Sequence, residues 1–177
     1  DLIKSYFGSG ESLGIQIDYS MEQKALGTAG PLALVNNLPE KFLVLNADVL
    51  TDLNFSGLTE FHSSLESDIT LCYYNKMEKI DLGVVEIKDG LFKSYIEKPT
   101  YNFSVSMGIY LLNREVVQLI PINEKFDMPE LIIKADLEGF KVSCFEHNGV
   151  WLDIGRVSDF EEANDYFTLN KKKFLNE

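Results

Sequence analysis

KFLVLNADVLTD, Lys41 to Asp52, carries an unbroken apolar run from Phe42 to Leu45 that passes through Asn46 and Ala47 to Asp48. A short continuous apolar run is the pattern of a strand covered on both faces, as in a parallel sheet sandwiched between helices. The chain on either side alternates such strands with amphipathic segments. SGLTEFHSSLES follows as a helix, and DITLCYYN (Asp68 to Asn75), rich in β-branched and aromatic residues, belongs in the same sheet. LGVVEIKDGLFKSYIEKP sets Lys88-Asp89-Gly90 between two alternating runs, a hairpin signal. SVSMGIYLLN returns to the sheet, REVVQLIP and MPELIIKADLEG make two short helices, and FKVSCFEHNGVWLDIG gives a strand and a turn. The closing helix, VSDFEEANDYFTLNKKKFL, has acids early and lysines late, the order its dipole prefers. Upstream, LGIQIDYS (Leu13 to Ser20) alternates as a strand does, and TAGPLALVNNLP has helical spacing with Thr28 as its cap and Pro39 beyond its end. The expected fold class is α/β: a mixed, mostly parallel central sheet flanked by helices, with an antiparallel ribbon inserted, forming one domain over residues 1–177.

The composition excludes several roles. A net charge of −12 over 177 residues repels nucleic-acid phosphates, and no basic stripe interrupts it, so no nucleic-acid partner is expected. No apolar run reaches the roughly 20 residues that span a bilayer, so no membrane partner is expected either. Cys72 and Cys144 both sit in apolar runs and read as reduced core residues of a cytoplasmic protein. His62 and His147 are isolated in sequence and suggest no histidine-based metal site. The phosphate-binding patterns GxGxxG and GxxxxGK[ST] are absent from the chain.

Carboxylates at strand ends carry the chemistry that remains. Asp48 closes an apolar run where the carboxyl end of a parallel strand presents ligand sites, and a carboxylate there must be solvated, paired or bound to a cation. The plain alternative is a turn cap, and aspartate is common in turns. Asp153, in GVWLDIGR, leaves a second hydrophobic element at a turn; Asp159 and Ser158 are better placed than Asp153 to cap the last helix. Two aspartates on one sheet rim could share Mg2+, which binds through a few carboxylates and completes its octahedron with waters and phosphate oxygens. Between them, YIEKPT holds Lys98 directly before Pro99, which expects an extended backbone at Lys98. A lysine beside Glu97 suits a phosphorylated polyol, the ammonium facing phosphate and the carboxylate accepting hydroxyl hydrogens. The alternative is a solvated surface pair.

YSMEQKALGTAGPL, FLVLNADVLTD, YIEKP, SMGIYLLN and VWLDIGRVSDFEEAN, in that order, resemble the sugar-1-phosphate nucleotidyltransferases, specifically the mannose-1-phosphate guanylyltransferase and glucose-1-phosphate thymidylyltransferase group. The resemblance runs from Tyr6 to Asn164. It implies the Rossmann-like nucleotide-diphospho-sugar transferase fold, with a nucleoside triphosphate and a sugar 1-phosphate as substrates and Mg2+ as cofactor. On it Asp48 and Asp153 match the metal-holding aspartates, Lys98 the lysine on the sugar phosphate, and Glu97 the acceptor of sugar hydroxyls. Gly83 matches a glycine whose backbone meets the sugar, and Ser106 to Gly108 also line that pocket. Glu22, Leu26, Gly27 and Thr28 fall in the segment that contacts base and ribose. Asp48, Lys98 and Asp153 are then the catalytic set.

Three positions depart from the family pattern: Ala47 replaces a common glycine, Met107 replaces a smaller residue and is expected to reshape the sugar pocket, and Glu22 replaces a glutamine that reads pyrimidines. The resemblance also implies a preceding strand and glycine-rich phosphate loop, so the expectation is a catalytic domain lacking that N-terminal part and inactive by itself. Its rivals are a catalytically silent nucleotidyltransferase-like module serving regulation or assembly, and a metal-dependent glycosyltransferase. The last ranks lowest, since Asp48 and Asp52 miss the DxD spacing. Sugar, base and homo-oligomeric state stay open.

Overall fold

The structure is a computed structural model that describes residues 2–175, without the side chains of Ser158 and Leu175. Two compact units divide the chain, one built from the described residues up to Phe42 with Asn113–Phe140, the other from Leu43–Leu112 with the described residues from Lys141 onward. The elements in order are α1 (Leu2–Phe7), β1 (Lys41–Leu45), β2 (Val49–Thr51), α2 (Phe55–Ser64), β3 (Ile69–Lys79), β4 (Val84–Lys88), β5 (Leu91–Ile96), β6 (Thr100–Asn113), α3 (Met128–Leu137), β7 (Val142–His147), β8 (Trp151–Asp153) and α4 (Val157–Leu175).

The second unit holds a four-stranded sheet in the order β1-β6-β3-β7. β6 runs antiparallel and β7 parallel to β3, so the sheet is mixed, as expected. Helix α2 begins where the Asn54 side chain accepts the N–H of Gly57, and it buries Leu58 and His62. Leu58, Leu53, Cys72, Met107, Ile109 and Leu111 form one apolar cluster, with Trp151, Tyr74 and Phe145 packed on it. His62 is a satisfied core histidine, its Nδ1 2.8 Å from Thr70 Oγ1. The ribbon expected around Lys88-Asp89-Gly90 is present: β4 and β5 pair antiparallel, and Asp89 (φ 50°) and Gly90 (φ 80°) make the left-handed turn that two-residue hairpins require.

A separate two-stranded ladder joins β2 to β8, with Val49 opposite Asp153, Leu50 opposite Leu152 and Thr51 opposite Trp151. Three residues a side is too little for independent stability, and neighbouring contacts fasten it. Trp151 Nε1 donates to the Met107 carbonyl at 3.2 Å, tying β8 to the core. Beside it, just past the Thr51–Trp151 pair, Asp52 Oδ1 accepts the Val150 N–H (2.6 Å) and stands 3.1 Å from His147 Nε2. Thr51 Oγ1 donates to the Val150 carbonyl at 2.8 Å. A methyl group on Gly149 would collide with Asp52 Oδ1 and the His147 ring, so only glycine lets this polar knot close.

In the first unit, residues 26–30 dock on the segment that leads into α3. Gly30 and Ala29 donate to the Phe126 carbonyl, and Phe126 donates to that of Leu26. Gly27 adopts φ 81°, where a side chain would strike Asp127. The Asp127 carboxylate accepts the Thr28 N–H at 3.0 Å, and that bond, helped by Lys125, outweighs desolvation to hold its pKa below the usual carboxylate range.

Several expectations fail for local reasons. LGIQIDYS is not a strand: Ile15 and Ile17 donate to the carbonyls of Gly10 and Ser9, folding the stretch onto the preceding glycine turn, and Leu13 and Ile15 stay 57% exposed. No described strand pairs with it, and alternation alone makes no ladder. TAGPLALVNNLP forms only a 3-10 turn at Gly30–Leu34, and Thr28 does not cap it because its hydroxyl accepts the Met128 N–H at 2.7 Å. Strand β1 is not buried on both faces, since it lies at the sheet edge with Leu43 39% and Leu45 44% exposed. Cys144 is exposed on the opposite edge strand β7, whereas Cys72 is buried and its thiol is pushed up to about 12 by burial.

Asp127 titrates below an unfolded-state aspartate, so its contribution is present above about pH 4 and is lost as pH falls through its lower folded value. Urea denaturation between pH 2.5 and 6 should therefore show a shallower acid loss of stability in Asp127→Asn than in the wild type. Asp52→Ala strips the Val150 N–H and the His147 ring of a shared acceptor. It should cost about 1–3 kcal/mol in the same measurement at neutral pH.

Candidate active site

The register of the β2–β8 ladder determines where the two aspartates stand. Asp48 lies in the turn entering β2, and its carbonyl accepts the Ile154 N–H at 2.7 Å; Asp153 ends β8 opposite Val49. Two residues 105 positions apart in sequence are thus brought one step off register across a single ladder. Both are exposed, and among the described residues neither carboxylate has a hydrogen-bond or ion-pair partner. Asp159 instead serves the last helix, its carboxylate accepting the Arg156 N–H at 2.9 Å; the Ser158 side chain lies outside the described residues.

No group of three or more histidine, cysteine or acidic side chains with metal-binding geometry occurs among the described residues. Two unpartnered carboxylates fit a hard divalent cation that takes its remaining oxygens from water and phosphate, and they do not fit a closed all-protein metal cage.

Gly108 sits where β6 bulges against β3, between the pairs Leu71–Tyr110 and Tyr73–Ser106. Its φ of 70° and the Asn46 side chain against it both demand glycine. The Gly108 carbonyl accepts the Asn46 N–H at 2.9 Å, so the turn bearing Asp48 is fixed to the middle of β6. Ser106 is exposed, its hydroxyl 3.1 Å from Tyr110 Oη and accepting the Gly108 N–H at 3.3 Å. Met107 between them is 1% exposed and packs into the core, so it does not reshape a surface pocket as its bulk suggested.

Lys98 and Glu97 occupy the sharp turn from β5 to β6. Lys98 has φ 45°, not the extended backbone expected before proline. With β5 ending at Ile96 and β6 starting at Thr100, only three residues link the ribbon to the sheet, and that short span overrides the local preference. Both side chains are exposed, and they form no ion pair with each other. Glu97 Oε2 instead accepts the Tyr95 hydroxyl at 2.9 Å. Gly83, just before β4, has the Tyr95 hydroxyl and ring edge packed where a side chain would be.

Glu22, Leu26, Gly27 and Thr28 lie in the first unit. Leu26 is 3% exposed, Thr28 is committed to Met128, and the Glu22 carboxylate accepts the Leu26 N–H at 3.0 Å. What this segment offers a ligand is its rim, a groove of about 610 Å³ lined by Met21, Gln23, Lys24, Leu26, Leu34 and Asn123. Sequence reasoning missed Asn46, Tyr95, Asp52 and His147, the residues that hold the others in place. Asp52 was weighed only for a metal spacing, and His147 is isolated until the fold sets it against Asp52. The one local signal was the Asn-Gly pair after His147, which marks a tight approach.

A family model described as "Nucleotidyl transferase" matches residues 1–169. A mannose-1-phosphate guanyltransferase of Yarrowia lipolytica is 35% identical over 176 residues, covering 92% of this chain and 47% of the relative. A mannose-1-phosphate guanylyltransferase catalytic subunit beta of Drosophila pseudoobscura pseudoobscura is 34% identical over 157 residues, covering 85% and 42%. The chain therefore spans less than half the length of these two relatives. Among solved structures, HddC from Yersinia pseudotuberculosis superposes with a TM-score of 0.66 at 23% identity, over 94% of this chain and 74% of that one, which speaks for the fold alone. On the match of nearly its whole length, the chain belongs to the nucleotidyl transferase family.

Proposed function

We propose that this chain forms part of a magnesium-dependent enzyme that transfers a nucleotidyl group from a nucleoside triphosphate to a sugar 1-phosphate, releasing pyrophosphate. The observation that carries the reading is the pair of unpartnered aspartates, Asp48 and Asp153, at neighbouring positions of the β2–β8 ladder. Asp48 and Asp153 would hold the magnesium ion, which when bound neutralises charge on the phosphates. Lys98 binds the phosphate of the sugar 1-phosphate and holds its oxygen in line with the α-phosphorus of the triphosphate. The new bond forms between these two atoms as the bond from the α-phosphorus to pyrophosphate breaks. A phosphate monoester has its second pKa near 6 and is mostly dianionic at neutral pH, so the nucleophile needs no general base. Catalysis then rests on alignment and charge stabilisation.

Glu97 accepts hydroxyl hydrogens of the sugar, and the backbone around Gly83, Ser106 and Gly108 shapes the wall beside it. The rim bearing Glu22, Leu26, Gly27 and Thr28 takes base and ribose through backbone groups and the Glu22 carboxylate, since the Leu26 side chain is buried. Small phosphorylated substrates accord with a cytoplasmic enzyme. The names of the relatives make GTP and mannose 1-phosphate the first pair to try.

The test is pyrophosphate release by the full-length protein across a panel of sugar 1-phosphates and triphosphates. Asp48→Asn and Asp153→Asn should each lower kcat about 100-fold or more with unchanged melting, as expected when a charge-stabilising group is lost. Wild-type turnover in both variants would refute the metal assignment. Lys98→Ala should raise KM for the sugar 1-phosphate about 10- to 100-fold while KM for the triphosphate stays put, the loss expected of one charge-assisted bond.

A further inference from the structure

Gly83 shows no left-handed backbone angle, so its lack of a side chain is not a matter of conformation. What a side chain would meet first there is Tyr95: the hydroxyl oxygen, Cζ and Cε2 fill the space of the absent Cβ. Tyr95 lies opposite Val85 in the β4–β5 ribbon, and from this position its hydroxyl crosses the start of β4 and donates to Glu97 Oε2 at 2.9 Å. The glycine is thus the floor on which a tyrosine lies, and the tyrosine holds a carboxylate. That carboxylate stands in the turn with Lys98 at φ 45° and, being exposed, would otherwise sample several rotamers.

The geometry points to Tyr95 as a positioning residue for sugar recognition, acting through Glu97, with the missing side chain of Gly83 required to seat its ring. This rests on the reading of Glu97 proposed above. A carboxylate has about four acceptor sites on two oxygens. The tyrosine occupies one on Oε2, fixes the plane of the group, and leaves Oε1 to accept from a sugar hydroxyl. Ordering the acceptor before the sugar arrives removes part of the rotamer cost of binding. The interaction concerns only the sugar, so its loss must separate the two substrates.

The experiment is steady-state kinetics on the full-length protein with the best sugar 1-phosphate and triphosphate from the panel. Tyr95→Phe keeps the ring and removes only the hydroxyl. It should raise KM for the sugar 1-phosphate about 3- to 10-fold, the worth of one such hydrogen bond, and leave KM for the triphosphate and kcat within about twofold. Gly83→Ala, which pushes the ring off Glu97, should produce the same split. Glu97→Gln should raise the sugar KM at least as much, and adding Tyr95→Phe to it should change little, because the tyrosine has no other route to the sugar. Additive effects in the double variant, an unchanged sugar KM in Tyr95→Phe, or equal rises for both substrates would overturn the proposal while leaving the nucleotidyl-transfer reading intact. An unchanged sugar KM in Glu97→Gln would remove Glu97 from the sugar site and this proposal with it. A full-length protein that turns over no pair would overturn both.

Discussion

Six residues of ladder, Val49–Thr51 against Trp151–Asp153, determine whether the two aspartates are neighbours at all. A slip of one residue in so short a pairing would move every side chain on it to the other face and change where Asp153 stands against the turn of Asp48. The molecule fixes the register with three different devices. Trp151 is bonded to the Met107 carbonyl and packed 5.7 Å from the Tyr74 ring, so the Thr51 end of the ladder is set by the core. The Asp52 carboxylate draws in Val150 and His147 at that same end. The Asp48 turn is held by the bond from Asn46 to Gly108. Two of these devices use polar groups with little solvent access, which tolerate less displacement than apolar packing because an unpaired buried polar group is costly.

The sequence made the architecture legible where periodicity and turn chemistry agreed. Asp89-Gly90 between alternating runs could hardly be anything but a hairpin, and SGLTEFHSSLES forms the helix expected after the apolar run. It misled where a pattern depends on a neighbour for its meaning. LGIQIDYS alternates like a strand, yet two left-handed glycines, Gly10 before it and Gly14 within it, turn the chain back on itself. The apolar run Phe42 to Leu45 reads as doubly buried, and its place at the sheet edge exposes Leu43 and Leu45. Single-residue inference failed the same way at Thr28, whose hydroxyl serves a helix 100 residues away rather than the turn beside it.

The site was legible through residues whose roles are chemical, and illegible through those whose roles are mechanical. Asp48, Asp153, Glu97 and Lys98 stand out as charges at the ends of apolar runs, a visible incongruity. Asn46, Asp52, Tyr95 and His147 look like ordinary loop and strand residues, because what they do is contact something distant. Asp52 and His147 are 95 positions apart, and no local rule connects them. The glycines are an intermediate case. Gly108, Gly149 and Gly83 are each forced by a particular side chain, Asn46, the Asp52–His147 pair and Tyr95 respectively, and a lone glycine in a sequence names neither its neighbour nor the reason for it.

Lys98 shows how the fold and the chemistry bear on each other. Proline after it favours an extended backbone, and the chain instead takes a left-handed angle there, a conformation that costs of order 1–3 kcal/mol for a side-chain-bearing residue. A surface lysine with no role would gain by leaving that angle, and a longer loop would relieve it. The three-residue connection between β5 and β6 denies it that freedom, since β5 is anchored to β4 in the ribbon and β6 to β3 in the sheet. The strain is therefore a cost of the short connection, which sets where the backbone of Glu97 and Lys98 stands on the surface. On the function proposed above, a cation at that place would offset the repulsion that a chain of net charge −12 otherwise exerts on an anionic ligand.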